Sequence, residues 1–310
     1  PGLLTLDGPD YVGQLHIAEL QLDVKKLCAA QGHLLDQQSV ASFLKPRARN
    51  SHKGSYGSVG IIGGAQGMSG AALLAARAAL KLGAGKVFVG MLADGVTLLD
   101  ISQPELMWRA PEALLLSDEL SALAIGCGMG QSDFARSLLK RALALAIPLV
   151  IDADALNLIA LDDALRSALT SRTVPSIITP HPAEAARLLN KSTAQIQQHR
   201  LQSTIELANR FNAIVLLKGS GSICATPDGR WFINPTGNPG MASAGMGDVL
   251  SGMVAALLAQ ELSAEQALLL GVYLHGAAAD DCVKNGVGPV GLTAGEVTDS
   301  ARHLLNSWIY

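Results

Sequence analysis

From Tyr56 onward, runs of four to six apolar residues that stop at glycine or aspartate alternate with Ala- and Leu-rich stretches of helical length. That alternation restricts the chain to β-α-β units, because parallel neighbours can be joined only by a crossover, normally a helix. Strands are expected at 58–62, 86–90, 122–125, 149–152, 176–179 and 213–217, with a hairpin of 222–226 and 230–234 around Pro227-Asp228-Gly229. The first six are nearly unbroken apolar runs, as expected of strands covered by helices on both faces. Helices are expected at 69–82, 132–146, 183–189, 193–212, 248–260, 263–285 and 293–307. Composition agrees: only 16% of the residues are charged, against about 25% in an average domain. Such a chain buries much of itself, and contacts between subunits are expected to cover further apolar surface.

Residues 1 to about 45 read as a tail and linker, with one short strand suggested at Gln14-Leu15-His16-Ile17. The chain opens at Pro1 rather than Met, so an upstream segment is expected. A net charge of −3 gives no overall positive field, which argues against a nucleic-acid partner or an anionic membrane surface. Cys28, Cys127, Cys224 and Cys282 have neither disulfide-framework nor zinc spacing and read as reduced. The uncharged stretch 249–260, at 12 residues, is too short to span a bilayer, and no signal peptide opens the chain. A cytoplasmic protein is the expectation.

In an open parallel sheet, ligands bind outside the carboxyl ends of the strands, so the residues after each strand carry the argument. The first strand enters Gly63-Gly64-Ala65-Gln66-Gly67-Met68-Ser69-Gly70-Ala71-Ala72 and the third enters Gly126-Cys127-Gly128-Met129-Gly130. Both turns let backbone N–H groups approach an anion or a flat ring, or serve only as tight turns; neither has Walker or Rossmann spacing. After the fourth strand come Asp152, Asp154 and Asn157, a pair of carboxylates suited to a hydroxyl or a hydrated metal, or alternatively to capping a helix. After the fifth, Thr179-Pro180-His181-Pro182 stiffens the turn that holds His181, and Glu184 falls in the next helical turn. The sixth ends in Lys218-Gly219-Ser220-Gly221-Ser222, suited to a phosphate or to a plain hairpin with an exposed lysine.

Most informative is the stretch from Asn238 through Gly245-Met246-Gly247-Asp248, in which small residues deliver one aspartate to the start of an apolar helix. N–H groups there make an anion hole for a transferring phosphoryl group, and Asp248, expected to stay ionised, is placed to accept a hydroxyl proton. The bland alternative is a helix cap, which would not need the small residues before it. Lys45, Arg47, Arg49, His52 and Lys53 form a basic cluster before the first core strand, read either as solvated linker or as phosphate-steering.

In order, GGAQGMSGA, GCGMG, DADALN, TPHPAEAARLL, LLKGSGS and NPGMASAGMGDVLSG resemble the ribokinase-like family of ADP- or ATP-dependent NAD(P)H-hydrate dehydratases, in the bacterial form whose dehydratase domain follows an epimerase domain. The resemblance implies a tail of an epimerase-type domain plus linker over 1–36, and a ribokinase-like three-layer α/β/α domain with a mainly parallel central sheet over 37–310. It implies dehydration of the 6S hydrate of NADH or NADPH at the expense of ADP, yielding AMP and phosphate, a form of nicotinamide nucleotide repair. By the same resemblance, substrate lies against Ala71, Gly128, His181 and Asp248, with Asp154 and Asn157 alongside. AMP lies against Lys218, Gly219, Ser220, Gly221 and Ser222 and the loop residues Asn238, Met241, Ala242, Ser243, Gly245 and Gly247. Mg²⁺ is implied, with Glu184 holding it through water, as are a homo-oligomer, a tetramer by family precedent, and a functional link to an epimerase. Two alternatives stand beside this reading: a small-molecule kinase of the same fold acting on a hydroxymethyl pyrimidine or thiazole alcohol, and a silent nucleotide-binding module.

Overall fold

A computed structural model describes residues 2–16, 18, 20, 30–95 and 99–310. Its strands are β1 (Gly32–Leu34), β2 (Ser58–Gly63), β3 (Lys86–Met91), β4 (Met107–Trp108), β5 (Ala122–Ile125), β6 (Leu149–Ile151), β7 (Ser176–Ile178), β8 (Ile214–Leu217), β9 (Ile223–Ala225) and β10 (Trp231–Ile233). They form one sheet in the order β1-β10-β9-β8-β7-β6-β5-β2-β3-β4. From β8 to β4 every pairing is parallel; β9 runs against both neighbours, and β1 closes the edge parallel to β10.

The described helices are α1 (Gly8–Val12), α2 (Gln37–Ala41), α3 (Ser69–Lys81), α4 (Pro111–Leu114), α5 (Asp133–Leu143), α6 (Ala153–Leu161), α7 (Asp163–Thr170), α8 (Pro182–Leu189), α9 (Thr193–Gln198), α10 (Arg200–Phe211), α11 (Met246–Ala259), α12 (Ala264–Lys284) and α13 (Ala294–Ile309). Alternate strand residues enter two separate cores, as the two-residue period requires. Val59, Ile61, Val87 and Val89 pack with α3, α11, α12 and α13, whereas Ile62, Phe88, Leu123 and Ile125 pack with α5, α6, α8 and α10. The sheet is therefore the middle layer of three. The first of these cores is alanine-rich, so its helices approach closely: a Cβ on Gly252 of α11 would lie 1.9 Å from the Ala75 carbonyl oxygen of α3. Any side chain there would force those helices apart.

Four expectations are corrected. Strand 149–152 stops at Ile151, because Asp152 turns its carboxylate onto the N–H of Ala153 and starts α6. α6 is the capped helix of the alternative reading of Asp152, whereas α7 is not among the expected helices. The single helix 193–212 is two helices, since His199, at φ −128° and ψ 47°, leaves the helical region between α9 and α10. No strand covers 14–16, and Ile17 and Cys28 lie outside the described residues. Nor do the described parts of the first 45 residues form a free tail: β1 pairs with β10, α2 packs on α12, and Leu6 exchanges hydrogen bonds with Ser220. The 36/37 boundary drawn from the sequence thus falls between β1 and α2. No described helix is long and apolar enough to cross a membrane.

Candidate active site

The residues that follow β5, β6 and β8, namely Cys127, Asp152 and Lys218, meet at the N-terminus of α11. Gly245 enters that helix with φ +91°, a backbone state few other residues tolerate, and no side chain caps the helix. The first turn, Met246-Gly247-Asp248, therefore presents uncapped N–H groups and the positive end of the helix dipole. A Cβ on Gly247 would lie 3.4 Å from Lys218 Nζ and 3.6 Å from Asp152 Oδ2, so the ammonium of β8's exit stands directly against this turn. Anion-binding backbone and a cation thus share one place.

Asp152 organises that place. Its Oδ1 accepts from Lys218 Nζ at 2.8 Å and from Ala153 N–H at 2.8 Å, and its Oδ2 accepts from the Ser251 hydroxyl at 2.9 Å. Burial depresses the Lys218 ammonium, but the Asp152 and Glu184 carboxylates outweigh it and hold the group above its ordinary value. Asp248 responds in the opposite sense to what its helix position alone suggests. Burial, with the charges of Asp152 and Asp154, raises its pKa against the opposing thiol hydrogen bond from buried Cys127 and the charge of Lys218. A carboxylate so raised is a stronger base than a free one.

The predicted substrate residues fall into two groups. Ala71 and Gly128 are brought together: a Cβ on Gly128, where φ is +57°, would lie 3.0 Å from the Ala71 Cβ. The two glycine turns are also bonded backbone to backbone, Gly64 N–H to Cys127 O at 2.9 Å and Ala65 N–H to Gly128 O at 2.6 Å. Asp154, Asn157 and His181 are engaged with the protein itself. Asp154 accepts from Gly130 N–H at 2.9 Å, while Asn157 Oδ1 accepts from Arg187 at 2.8 Å. His181 Nδ1 accepts from Ala183 N–H at 3.1 Å, which assigns the ring proton to Nε2, 3.3 Å from Glu184 Oε1. Burial and the charges of Lys218 and Arg187 lower the His181 pKa, so it is a neutral donor.

Glu184 is buried in a capping box on α8, its Oε2 accepting from His181 N–H at 2.8 Å. Burial raises its pKa. Among the described residues no group of three His, Cys, Asp or Glu could hold a metal ion. The described side chains therefore do not by themselves build a cage for Mg²⁺, and Glu184 already accepts from His181 N–H.

The turn 218–222 is braced on two sides. From beneath, the buried Arg200 guanidinium donates to the carbonyls of Leu217, Lys218 and Gly221 at 3.3–3.4 Å, with burial lowering its pKa to about 10. From above, Leu6 N–H donates to Ser220 O at 3.1 Å and Ser220 Oγ donates to Leu6 O at 2.8 Å. Ser222 Oγ donates to Gly219 O at 2.9 Å. Both serine hydroxyls thus keep only acceptor capacity for a ligand unless they rotate. Along the loop from 238, Ser243 Oγ donates to Leu292 O, Met241 sits in a short 3-10 turn, and Ala242 is exposed.

Five residues of this region carried no site role in the sequence: Arg187, Arg200, Ser251, Asp280 and His275. His275 of α12 is buried, its pKa lowered to about 4 by burial, and its Nε2 meets no partner among the described residues. The basic cluster before β2 lies elsewhere. Arg47 donates to Gly83 O at 2.6 Å and to Gln260 Oε1 at 2.8 Å, and stacks 3.7 Å over Tyr56. Gln260 caps the far end of α11, so for Arg47 the phosphate-steering alternative fails on position.

A three-layer α/β/α domain whose strand ends bring a lysine against an uncapped helix N-terminus that carries an aspartate defines a ribokinase-like fold. The chain belongs to the NAD(P)H-hydrate dehydratase family, whose model matches residues 59–300. The ADP-dependent (S)-NAD(P)H-hydrate dehydratase of Neisseria meningitidis serogroup B is 42% identical, over 84% of this chain and 89% of that protein. The bifunctional NAD(P)H-hydrate repair enzyme of Coxiella burnetii is 39% identical over 98% of this chain, which spans only 62% of that protein's length. Among solved structures, the Bacillus subtilis ADP/ATP-dependent NAD(P)H-hydrate dehydratase co-crystallised with ATP/Mg²⁺ matches with a TM-score of 0.77 and 29% identity, covering 89% of this chain and 98% of that one.

Proposed function

We propose that the chain dehydrates the 6S hydrate of NADH or NADPH using ADP, releasing NAD(P)H, AMP and phosphate. The observation that carries the reading is Asp248, a half-buried carboxylate of raised pKa in the same helical turn as the uncapped N–H groups, with Lys218 against that turn. Asp248 takes the proton of the C6 hydroxyl as that oxygen attacks the β-phosphorus and the bond to AMP breaks. Lys218 and the first-turn N–H groups of α11 hold the charge of the transferring phosphoryl group. The ring nitrogen lone pair then expels phosphate from C6, and loss of a proton from C5 restores the dihydropyridine. Ala71 and Gly128 form the bare floor on which the nicotinamide lies; AMP occupies the side of the 218–222 turn and the 238–247 loop. His181 offers its Nε2–H to the substrate in place of Glu184. Mg²⁺, when bound, would neutralise phosphate charge and would take its oxygen ligands mainly from the nucleotide rather than from a side-chain cage.

In the full-length protein we place an epimerase-type domain ahead of this one, supplying the S epimer; the length of the Coxiella relative supports this. Buried free thiols at Cys127, Cys224 and Cys282 suit the reducing cytoplasm. The exposed apolar side chains of Ile101, Leu116 and Val290 support a homo-oligomer, which light scattering showing a monomer would refute.

The test incubates the purified chain with NADH hydrate, ADP and Mg²⁺ and follows recovery of the near-ultraviolet absorbance of the dihydronicotinamide. Recovery is expected. Absence of recovery, with phosphorylation of a thiazole or pyrimidine alcohol instead, would make the chain a kinase; inertness toward both would make it a silent module.

A further inference from the structure

Residues 234–238, which lead into the 238–247 loop, lie along one stripe of α12. Asn234 Nδ2 donates to Val272 O at 3.3 Å, and the Thr236 hydroxyl lies 3.0 Å from Tyr273 O. One turn further on, Gly276 leaves no room between helix and strap: a Cβ there would lie 2.3 Å from Thr236 Oγ1 and 2.6 Å from its carbonyl carbon. One turn beyond that, Asp280 accepts at both oxygens, from Gly237 N–H at 2.9 Å and from Asn238 Nδ2 at 3.0 Å. Positions 272, 276 and 280 recur every four residues and so share one helix face. The carboxamide of Asn238 is committed at both ends, because its Oδ1 accepts from Gly240 N–H at 3.0 Å.

We propose that Asp280 is a positioning residue for the nucleotide: it fixes Asn238, and through Asn238 the 3-10 turn Pro239–Met241, which sets the course of the loop toward Gly245. Asn238 then acts by shaping the loop and not by touching AMP with its side chain. This rests on reading the 238–247 loop as part of the nucleotide site. The logic is one of donors and acceptors. Asp280 contributes only acceptors, Asn238 one donor and one acceptor, and the two backbone N–H groups are fixed; each polar partner meets its opposite. Replacing Asp280 by Asn sets one NH₂ against a donor, and replacing Asn238 by Asp sets two carboxylates face to face. Exchanging both restores every bond: the carboxylate brought to position 238 accepts from Gly240 N–H and from the amide brought to position 280, whose oxygen accepts from Gly237 N–H.

The experiment measures ADP binding by calorimetry and steady-state kinetics for Asp280→Asn, Asn238→Asp and the double exchange, each checked for folding by thermal melting. Each single variant is expected to raise Kd and KM for ADP about tenfold or more, the consequence of setting donor against donor or carboxylate against carboxylate in a partly buried place. kcat is expected to hold within about twofold, since a positioning role acts on binding. The double exchange is expected to return most of the affinity. Singles that bind ADP as wild type does, or a double variant no better than the worse single, overturn the inference while leaving the nucleotide loop in place. Failure of the wild-type chain itself to bind ADP would instead defeat the reading on which it rests. A merely structural role for Asp280 would lower melting temperature and kcat together without a selective change in KM.

Discussion

The two ends of α11 carry opposite chemistry. At 14 residues the helix is about 21 Å long. At its N-terminus, glycine backbone, Lys218, Asp152 and Asp248 are packed into a small charged cluster. At its C-terminus, Gln260 donates to Ala256 O of α11 and to Leu82 O, and Arg47 donates to the Gln260 carboxamide and to Gly83 O just past α3. Cations at helix C-termini and anions at N-termini are each favoured by the helix dipole. Arg47 therefore obeys the ordinary rule, while Lys218 defies it: a cation stands at a helix N-terminus, held there by Asp152. On the proposed function, that misplacement marks the nucleotide-binding end. A chain selected for stability alone would gain little from a buried ion pair, but one that must receive an anion between the lysine and the helix would need it.

The largest expected effect falls on Asp248. Asp248→Asn is expected to lower kcat by about a hundred- to ten-thousandfold, the range of general-base catalysis, with ADP affinity retained when measured by calorimetry; equal loss of both would make Asp248 structural. The same variant is expected to melt higher at neutral pH. Burial raises the folded pKa of Asp248, so the group favours folding below its unfolded pKa and loses that contribution as pH rises through the folded value. The asparagine's advantage should vanish in acid.

Next, Lys218→Met strands the Asp152 carboxylate and is expected to destabilise the fold by about 3 kcal/mol or more in denaturant titration. Adding Asp152→Asn should recover stability but not ADP binding. Recovery of both would remove the lysine from the site. Smaller again is a shift in pH profile. The Cys127 thiol beside Asp248 holds its pKa down against the effect of burial, so Cys127→Ala is expected to move the acidic limb of kcat/KM upward. An unmoved limb would mean that the thiol does not touch the base during turnover. Smallest in activity, Arg47→Ala at the opposite end is expected to cost about 1–2 kcal/mol of stability and leave kcat/KM unchanged; a loss of activity there would break the contrast between the two ends.

The sheet was legible because β2, β3, β5, β6, β7 and β8 are apolar runs whose reason for existing is local. Edge strand β1 was not, since Gly32–Leu34 has no hydrophobic alternation and exists through pairing with Trp231–Ile233. Lys218, Gly247 and Asp248 could be singled out because small residues and charges at strand ends are unusual, and the structure brings the three close together. Asp152 was visible as a carboxylate, but its partners were hidden: Lys218 is 66 residues away and Ser251 is 99. Asp280 lies 43 residues from Gly237, in a helix whose sequence announces only burial. Arg200 reads as an ordinary helical arginine until the fold sets it beneath the 218–222 turn. What sequence patterns miss here is consistently the second partner of a long-range polar contact.

The most direct test is stoichiometric. With the purified chain, the 6S hydrate of NADH, ADP and Mg²⁺, dihydronicotinamide recovered, AMP formed and inorganic phosphate released are measured in one reaction. The account predicts equal amounts of all three, abolished together in Asp248→Asn. AMP and phosphate formed without coenzyme recovery, or a phosphorylated product that persists, would contradict it.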